Sequence, residues 1–410
     1  MTRESNKFSL FAVYFTFFID NLSWGLVFPI FAPYFLDVNN VVFSADVSSG
    51  TRSMILGFFF MVYSLGQFIG APLAGEYADR NGRKRALIVT VFFTLIGTAL
   101  SALSVQYNLL LWLFVGRMIT GIFSCCPSIC LSSISDLSLD QNLKVKRFGY
   151  FATVGGLAFI IGAFFGGKLA DHNISPFFSV SVPFWSAAFL ILLNFLFASF
   201  GYRETSRPQP FAKYHFGESF KNIQLALRTK KIKGIYSVYF LFIFSWTILF
   251  LFFPVLAVEK FGFTSSSIGN LALFMGVCWA IGSSYLGKTL VRYFTSMKVL
   301  EVCLVLFTIL SCLVIFPSHV YGALAIVGAS AILGGLAWPL CAGIISDTAP
   351  SDMQGKILGI SQSILALSMT LAPAIGGIAF KVSSSVPFLL AAGVSCIALI
   401  IAYRFILKPR

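Results

Sequence analysis

Twelve apolar runs alternate with polar turns along the 410 residues. They fall at about 8–36, 54–75, 86–106, 108–134, 148–170, 176–200, 234–258, 266–287, 297–317, 320–346, 356–380 and 386–406. Each is about 20 residues or longer, enough for a helix to cross the hydrocarbon core of a bilayer. Lipid offers no water to satisfy exposed backbone groups, so helix is the expected form of every run. One connection is long. Residues 201–233 are polar and carry Arg203, Arg207, Lys213, Lys221, Arg228, Lys230, Lys231 and Lys233. The pattern predicts an all-α integral membrane protein of twelve transmembrane helices in two six-span halves. Their expected bounds are 1–200 and 234–410, with a cytoplasmic linker at 201–233. Within the linker Phe220, Ile223 and Leu227 share one helical face opposite the bases. That is the pattern of an amphipathic helix lying on the membrane surface.

Composition agrees. The chain is 58% hydrophobic and 11% charged, against about a quarter charged in soluble proteins. The net charge of +14 does not point to nucleic acid, because the bases recur at alternate ends of the apolar runs. With the N-terminus inside, 24 of the 29 Lys and Arg residues lie on one side. The positive-inside rule then puts both termini in the cytoplasm. Compact loops suggest a bacterial inner membrane. No small-residue cleavage site closes the first run, so it reads as a retained span.

Chemistry-bearing clusters are few. The cysteines lie inside apolar runs; Cys126 and Cys130 share a helix face with no His or carboxylate nearby. They read as small hydrophobes, with neither a metal site nor a disulfide framework. His172, His215 and His319 have no spacing to an acid that would make a membrane enzyme. No cofactor is expected.

The two halves repeat. Gly149 is followed by Gly166-Gly167, and Gly359 by Gly376-Gly377, at the same spacing. Ser135-Asp136 is echoed by Ser346-Asp347, Pro127 by Pro339, and Gly75 with Arg80 by Gly287 with Arg292. All share an offset of 210–212 residues. A six-span unit used twice is characteristic of secondary transporters.

The stretch Gly75-Glu-Tyr-Ala-Asp79-Arg80-Asn-Gly82-Arg83-Lys84-Arg85 lies between two uncharged runs. It is similar to the signature between spans 2 and 3 of the major facilitator superfamily. Arg117 and Gly121 in span 4 resemble that family's second signature. Asp20, Gly25, Pro29 and Pro33 resemble a pattern of its twelve-span drug:proton antiporter branch, which includes tetracycline and multidrug efflux proteins. Gly162-Ala163-Phe-Phe-Gly166-Gly167 resembles the span 5 antiporter signature, with Ala163 standing where that signature has Pro. Ala372-Pro373-Ala-Ile-Gly376-Gly377 keeps the Pro in the second half. The resemblance covers nearly the whole chain. It implies two bundles that rock about a central cavity, with a small-molecule substrate bound near the midplane. Gly162, Gly166, Gly167, Pro373, Gly376 and Gly377 are then helix-packing positions.

The resemblance also suggests roles for the charged residues. Asp20 lies about 18 Å into span 1 at 1.5 Å per residue, where an ionised carboxylate is costly unless paired or hydrated. Arg117 is the strong cation deep in the first half. The two are expected to face each other or share a water network, and to couple transport to the proton gradient. Gly75, Asp79, Arg80, Gly82, Arg83, Asp136 and Asp347 are expected to form a conformational gate on the inner face. Gly75 and Gly82 would permit close helix approach and a tight turn, and Asp79 would accept bonds at the start of span 11. In the second copy the acid is replaced by Val291. Asn21, Trp24, Tyr63, Gln67, Tyr239, Trp246, Asn270, Trp279, Trp338 and Gln362 are the expected cavity lining, suited to an amphiphilic ligand. The expected activity is proton-coupled efflux by a monomer. Import of a nutrient or siderophore-like compound is the alternative.

Overall fold

The computed structural model describes residues 3–37, 42–44, 46–124, 126–138, 141–205, 230–347 and 354–404. The amphipathic face at Phe220, Ile223 and Leu227 lies outside them. Among the described residues, eleven helical stretches are long and apolar enough to cross a membrane. A twelfth apolar helix, Val386–Ala402, has 17 residues.

Several spans depart from a plain α-helix, and each departure has a local cause. Span 1 is Arg3–Val27, then a 3₁₀ turn Phe28–Ile30 holding Pro29, then Phe31–Leu36. Span 4 breaks between Leu110–Phe123 and Cys126–Asp136. Pro127 stands in the first turn of the second piece, where its missing N–H costs nothing. Span 8 comprises Ser265–Ala280, a π-helical stretch Ile281–Leu286 and Gly287–Tyr293. Spans 5, 7, 10 and 11 are single helices Gln141–Leu169, Lys230–Phe261, Val320–Asp347 and Gln354–Val382.

Spans 2 and 3 extend beyond their apolar runs. Span 2 is one helix, Ser49–Asn81, and span 3 begins at Arg83 and runs to Gln106. The link is Gly82 alone, at φ +93°. The charges that read as a polar loop therefore sit on the ends of two helices. Only glycine enters this backbone region without strain.

The chain divides into two compact units. Unit 1 takes residues 1–44, 62–216 and 264–273; unit 2 takes 45–61, 217–263 and 274–410. Packing inside the units follows the duplication. In unit 1 span 1 packs on spans 5 and 6 (Val182–Gly201), and span 3 packs on spans 4 and 6. In unit 2 span 7 packs on spans 11 and 12, and span 9 (Ser296–Leu313) packs on spans 10 and 12. These are the same pairs displaced by six spans.

Small residues bring the backbones together, as helix association in lipid requires. In unit 1 a Cβ on Gly166 would lie 2.6 Å from the Leu26 carbonyl carbon, and one on Gly162 would lie 3.0 Å from the Leu26 nitrogen. A Cβ on Gly167 would lie 2.9 Å from the Gly269 Cα. Unit 2 repeats the last contact: a Cβ on Gly57 would lie 2.8 Å from the Gly377 Cα, and would also press on the Pro373 carbonyl oxygen. Gly376 instead makes room for the Phe252 ring, 2.5 Å from where its Cβ would be. These glycine pairs explain why 45–61 joins unit 2 and 264–273 joins unit 1, although the sequence halves divide elsewhere.

Candidate functional site

Asp20 and Arg117 line one chamber inside unit 1. Its walls come from spans 1, 2, 3, 4 and 6. Ser23, Trp24, Tyr63, Thr94, Thr98 and Thr120 are among them. Arg117 is 5% exposed. Its guanidinium carbon lies 4.4 Å from the Tyr63 ring centre, 5.2 Å from Phe31 and 5.8 Å from Trp24. Three aromatic faces thus hold a cation that lipid would not tolerate, an arrangement suited to a planar guanidinium. The Tyr63 hydroxyl donates to Ser124 Oγ at 3.0 Å and accepts from Gln67 Nε2 at 3.3 Å. Ser124 is the residue at which span 4 breaks, so the kink presents a hydroxyl to the site.

The chamber has about 20 Å³ open to water centres, room for one water molecule. Drug-sized ligands need roughly 300–1,000 Å³. The chamber has the size of a water site. Sequence reasoning placed Asp20 and Arg117 together but missed the hydroxyls that face them. Their signal is the buried series Thr90, Thr94, Thr98 and Ser101 on span 3, spaced by four, four and three along one helix face.

The other expected lining residues divide. Trp24 and Tyr63 line the chamber. Asn21 instead donates to the Phe17 carbonyl of its own helix at 2.9 Å. In unit 2 Trp246 and Trp279 have ring centres 4.8 Å apart, and Trp279 meets Trp338 edge-on at 5.8 Å. Trp246 and Tyr239 are 7% and 3% exposed, with Trp246 seated over Gly334. Trp279 and Trp338 are half-buried and Gln362 is exposed. Asn270, expected in the second half's lining, is exposed and belongs to the segment that joins unit 1.

The expected gate contains a network within unit 1. Arg83 pairs with Asp79 at 2.7 Å and with Asp136 at 3.3 Å. The expected partner of Asp79 was a helix start on span 11. Within unit 1, Glu204 sits at the start of span 3. It accepts the Arg83 N–H at 2.8 Å and the Lys84 N–H at 3.1 Å. A carboxylate there satisfies two orphan donors and complements the helix dipole. Tyr202, 1% exposed and 2.7 Å from Ser133 Oγ, anchors the segment carrying Glu204. Gly82 is needed twice: for its φ, and because a Cβ there would lie 2.8 Å from Glu204 Cδ. Gly75 differs from expectation, since a Cβ there would meet nothing within 4 Å. Arg80 is half-buried. Asp347 closes the span 10 helix, and its side chain lies outside the described residues.

The network makes a stability prediction. Glu204→Ala removes a cap worth about 1 kcal/mol. Differential scanning fluorimetry should show a small drop in Tm, whereas Gly75→Ala should leave Tm nearly unchanged.

Comparison with known proteins agrees with this geometry. The family model of the Major Facilitator Superfamily matches residues 13–300 and 235–410. The class H tetracycline resistance protein of Pasteurella multocida is 26% identical over 380 residues, covering 90% of this chain and 88% of that protein. Multidrug resistance protein 1 of Bacillus subtilis (strain 168) is 27% identical over 395 residues, covering 94% and 93%. A crystal structure of a D-xylose-proton symporter shares the fold with a TM-score of 0.74 at 16% identity, covering 97% of this chain and 98% of that one. The chain belongs to the Major Facilitator Superfamily and is a multi-pass membrane transporter.

Proposed function

We propose that the protein exports a small amphiphilic molecule by alternating access, driven by protons taken up and released at Asp20. The observation that carries this reading is the chamber that Asp20 and Arg117 line together with span 3 hydroxyls, with room for one water. A carboxylate in such a place is costly when ionised and can be neutralised by a proton. Arg117 supplies fixed positive charge that favours release. The water and the hydroxyls of Thr94 and Thr98 offer the proton a route to the carboxylate. Export is favoured over import by the names of the relatives at 26% and 27% identity, a tetracycline and a multidrug resistance protein. The symporter likeness bears on fold alone.

The cargo, on this reading, contacts Trp279, Trp338 and Gln362 of unit 2. The protein acts as a monomer in a bacterial inner membrane with both termini cytoplasmic. The test is uptake into inverted vesicles of a panel of fluorescent amphiphiles. Accumulation driven by an acidic interior and collapsed by a protonophore is the expected result. Accumulation indifferent to the protonophore would refute proton coupling. Arg117→Lys provides a further check. It keeps the charge but loses the planar stack on Tyr63, Phe31 and Trp24, so transport should fall roughly tenfold or more, as for an interaction worth at least 1.4 kcal/mol.

A further inference from the structure

The second copy of the charged stretch has no role in the reading above, and it carries no acid. At the offset of 212 residues shared by Gly75 and Gly287, Glu76 corresponds to Lys288 and Asp79 to Val291, while Arg80 corresponds to Arg292. The first copy balances its bases with Asp79, Asp136 and Glu204. The second has neither acid: Lys288 stands where Glu76 does and Val291 where Asp79 does, while Thr295, Ser296 and Met297 replace Arg83, Lys84 and Arg85, so Lys288 and Arg292 are its two bases.

Lys288 and Arg292 open onto a groove of about 420 Å³ within unit 2, between spans 8 and 10. Both are exposed and stand one helical turn apart, on the same side of the helix. Ser283 adds a hydroxyl, while Val291, Leu336 and Leu340 supply an apolar wall. Among the described residues, no carboxylate lines the groove. The π-helical stretch Ile281–Leu286 precedes these residues. It forms where Gly282 lets span 8 close onto the Ile332 carbonyl of span 10. Such bulges re-aim the side chains that follow and recur at functional sites. Tyr285 and Tyr293, 70% and 77% exposed, flank the site like the aromatic belt of a membrane interface.

We infer that this groove binds the phosphate headgroup of an anionic phospholipid, with its acyl chains against the leucine wall. Two bases beside an apolar wall at the end of a membrane helix match a lipid in charge and in amphiphilicity. The twelve-span order puts this groove on the same membrane face as the Gly82 turn, the base-rich face.

Native mass spectrometry of the purified full chain, titrated with phosphatidylglycerol or phosphatidylethanolamine, tests the assignment. The wild type should retain phosphatidylglycerol preferentially. Lys288→Gln with Arg292→Gln should weaken that retention roughly thirtyfold, about a factor of five per base. Val291→Asp should weaken it as well, and thermal melting of each variant reports its folding. Lys84→Gln with Arg85→Gln should change nothing. Equal retention of the two lipids by the wild type, or unchanged retention in the double variant, would overturn the proposal. Displacement of the lipid by inorganic phosphate at equal concentration would overturn it too, in favour of a free-anion site.

Discussion

Asp20→Asn abolishes uphill transport, reducing accumulation at least a hundredfold, and leaves downhill exchange in place. Asparagine keeps the shape and hydrogen-bonding reach of the side chain but cannot take or lose a proton. The chamber's other groups, Ser23, Thr94, Thr98 and Arg117, cannot replace it: hydroxyls do not ionise at working pH, and the guanidinium stays protonated. The variant removes a buried carboxylate but leaves the Arg117 cation in the chamber without it, so thermal melting of the variant is read beside its transport. Vesicles loaded with unlabelled compound and assayed for exchange of labelled compound separate the two activities. Loss of exchange together with uphill transport would point to a structural part for Asp20, as one member of a static ion pair with Arg117.

Gly166→Val blocks assembly of unit 1. The added Cβ would lie 2.6 Å from the Leu26 carbonyl carbon and closer still to its oxygen. Real contacts at that position begin above 3 Å, and the obstacle is helix backbone, which cannot turn aside. Spans 1 and 5 must separate, and Gly25 and Gly162 lose their contact in the same seam. Overpacking costs about 1–3 kcal/mol when the core can adjust; here two rigid helices must move and the cost should sit at or above the top of that range. The expected result is little folded protein by size-exclusion chromatography, or a Tm lowered by many degrees. Gly156→Val, on the same helix where a Cβ meets nothing within 4 Å, should be nearly silent. Equal tolerance of both changes would refute the close-packed seam.

The sequence made the duplication legible because the packing glycines are themselves duplicated, Gly166-Gly167 in one half and Gly376-Gly377 in the other. What it concealed were their partners. Gly57 and Gly269 stand alone in apolar runs, and nothing local marks them as the surfaces on which span 11 and span 5 close. Glu204 was concealed for a similar reason. It follows span 6 by three residues and caps a helix 121 positions earlier, a distance no local pattern spans. Asp20 and Arg117 were legible because a charge in an apolar run is its own signal. The size of their chamber was not, since volume depends on how five helices meet.

The most direct test of proton exchange at Asp20 is proton release from the purified protein in weakly buffered detergent when a transported amphiphile is added. The wild type should release protons in proportion to the ligand bound, and Asp20→Asn should bind the ligand and release none. Equal proton release from the two proteins would contradict the account.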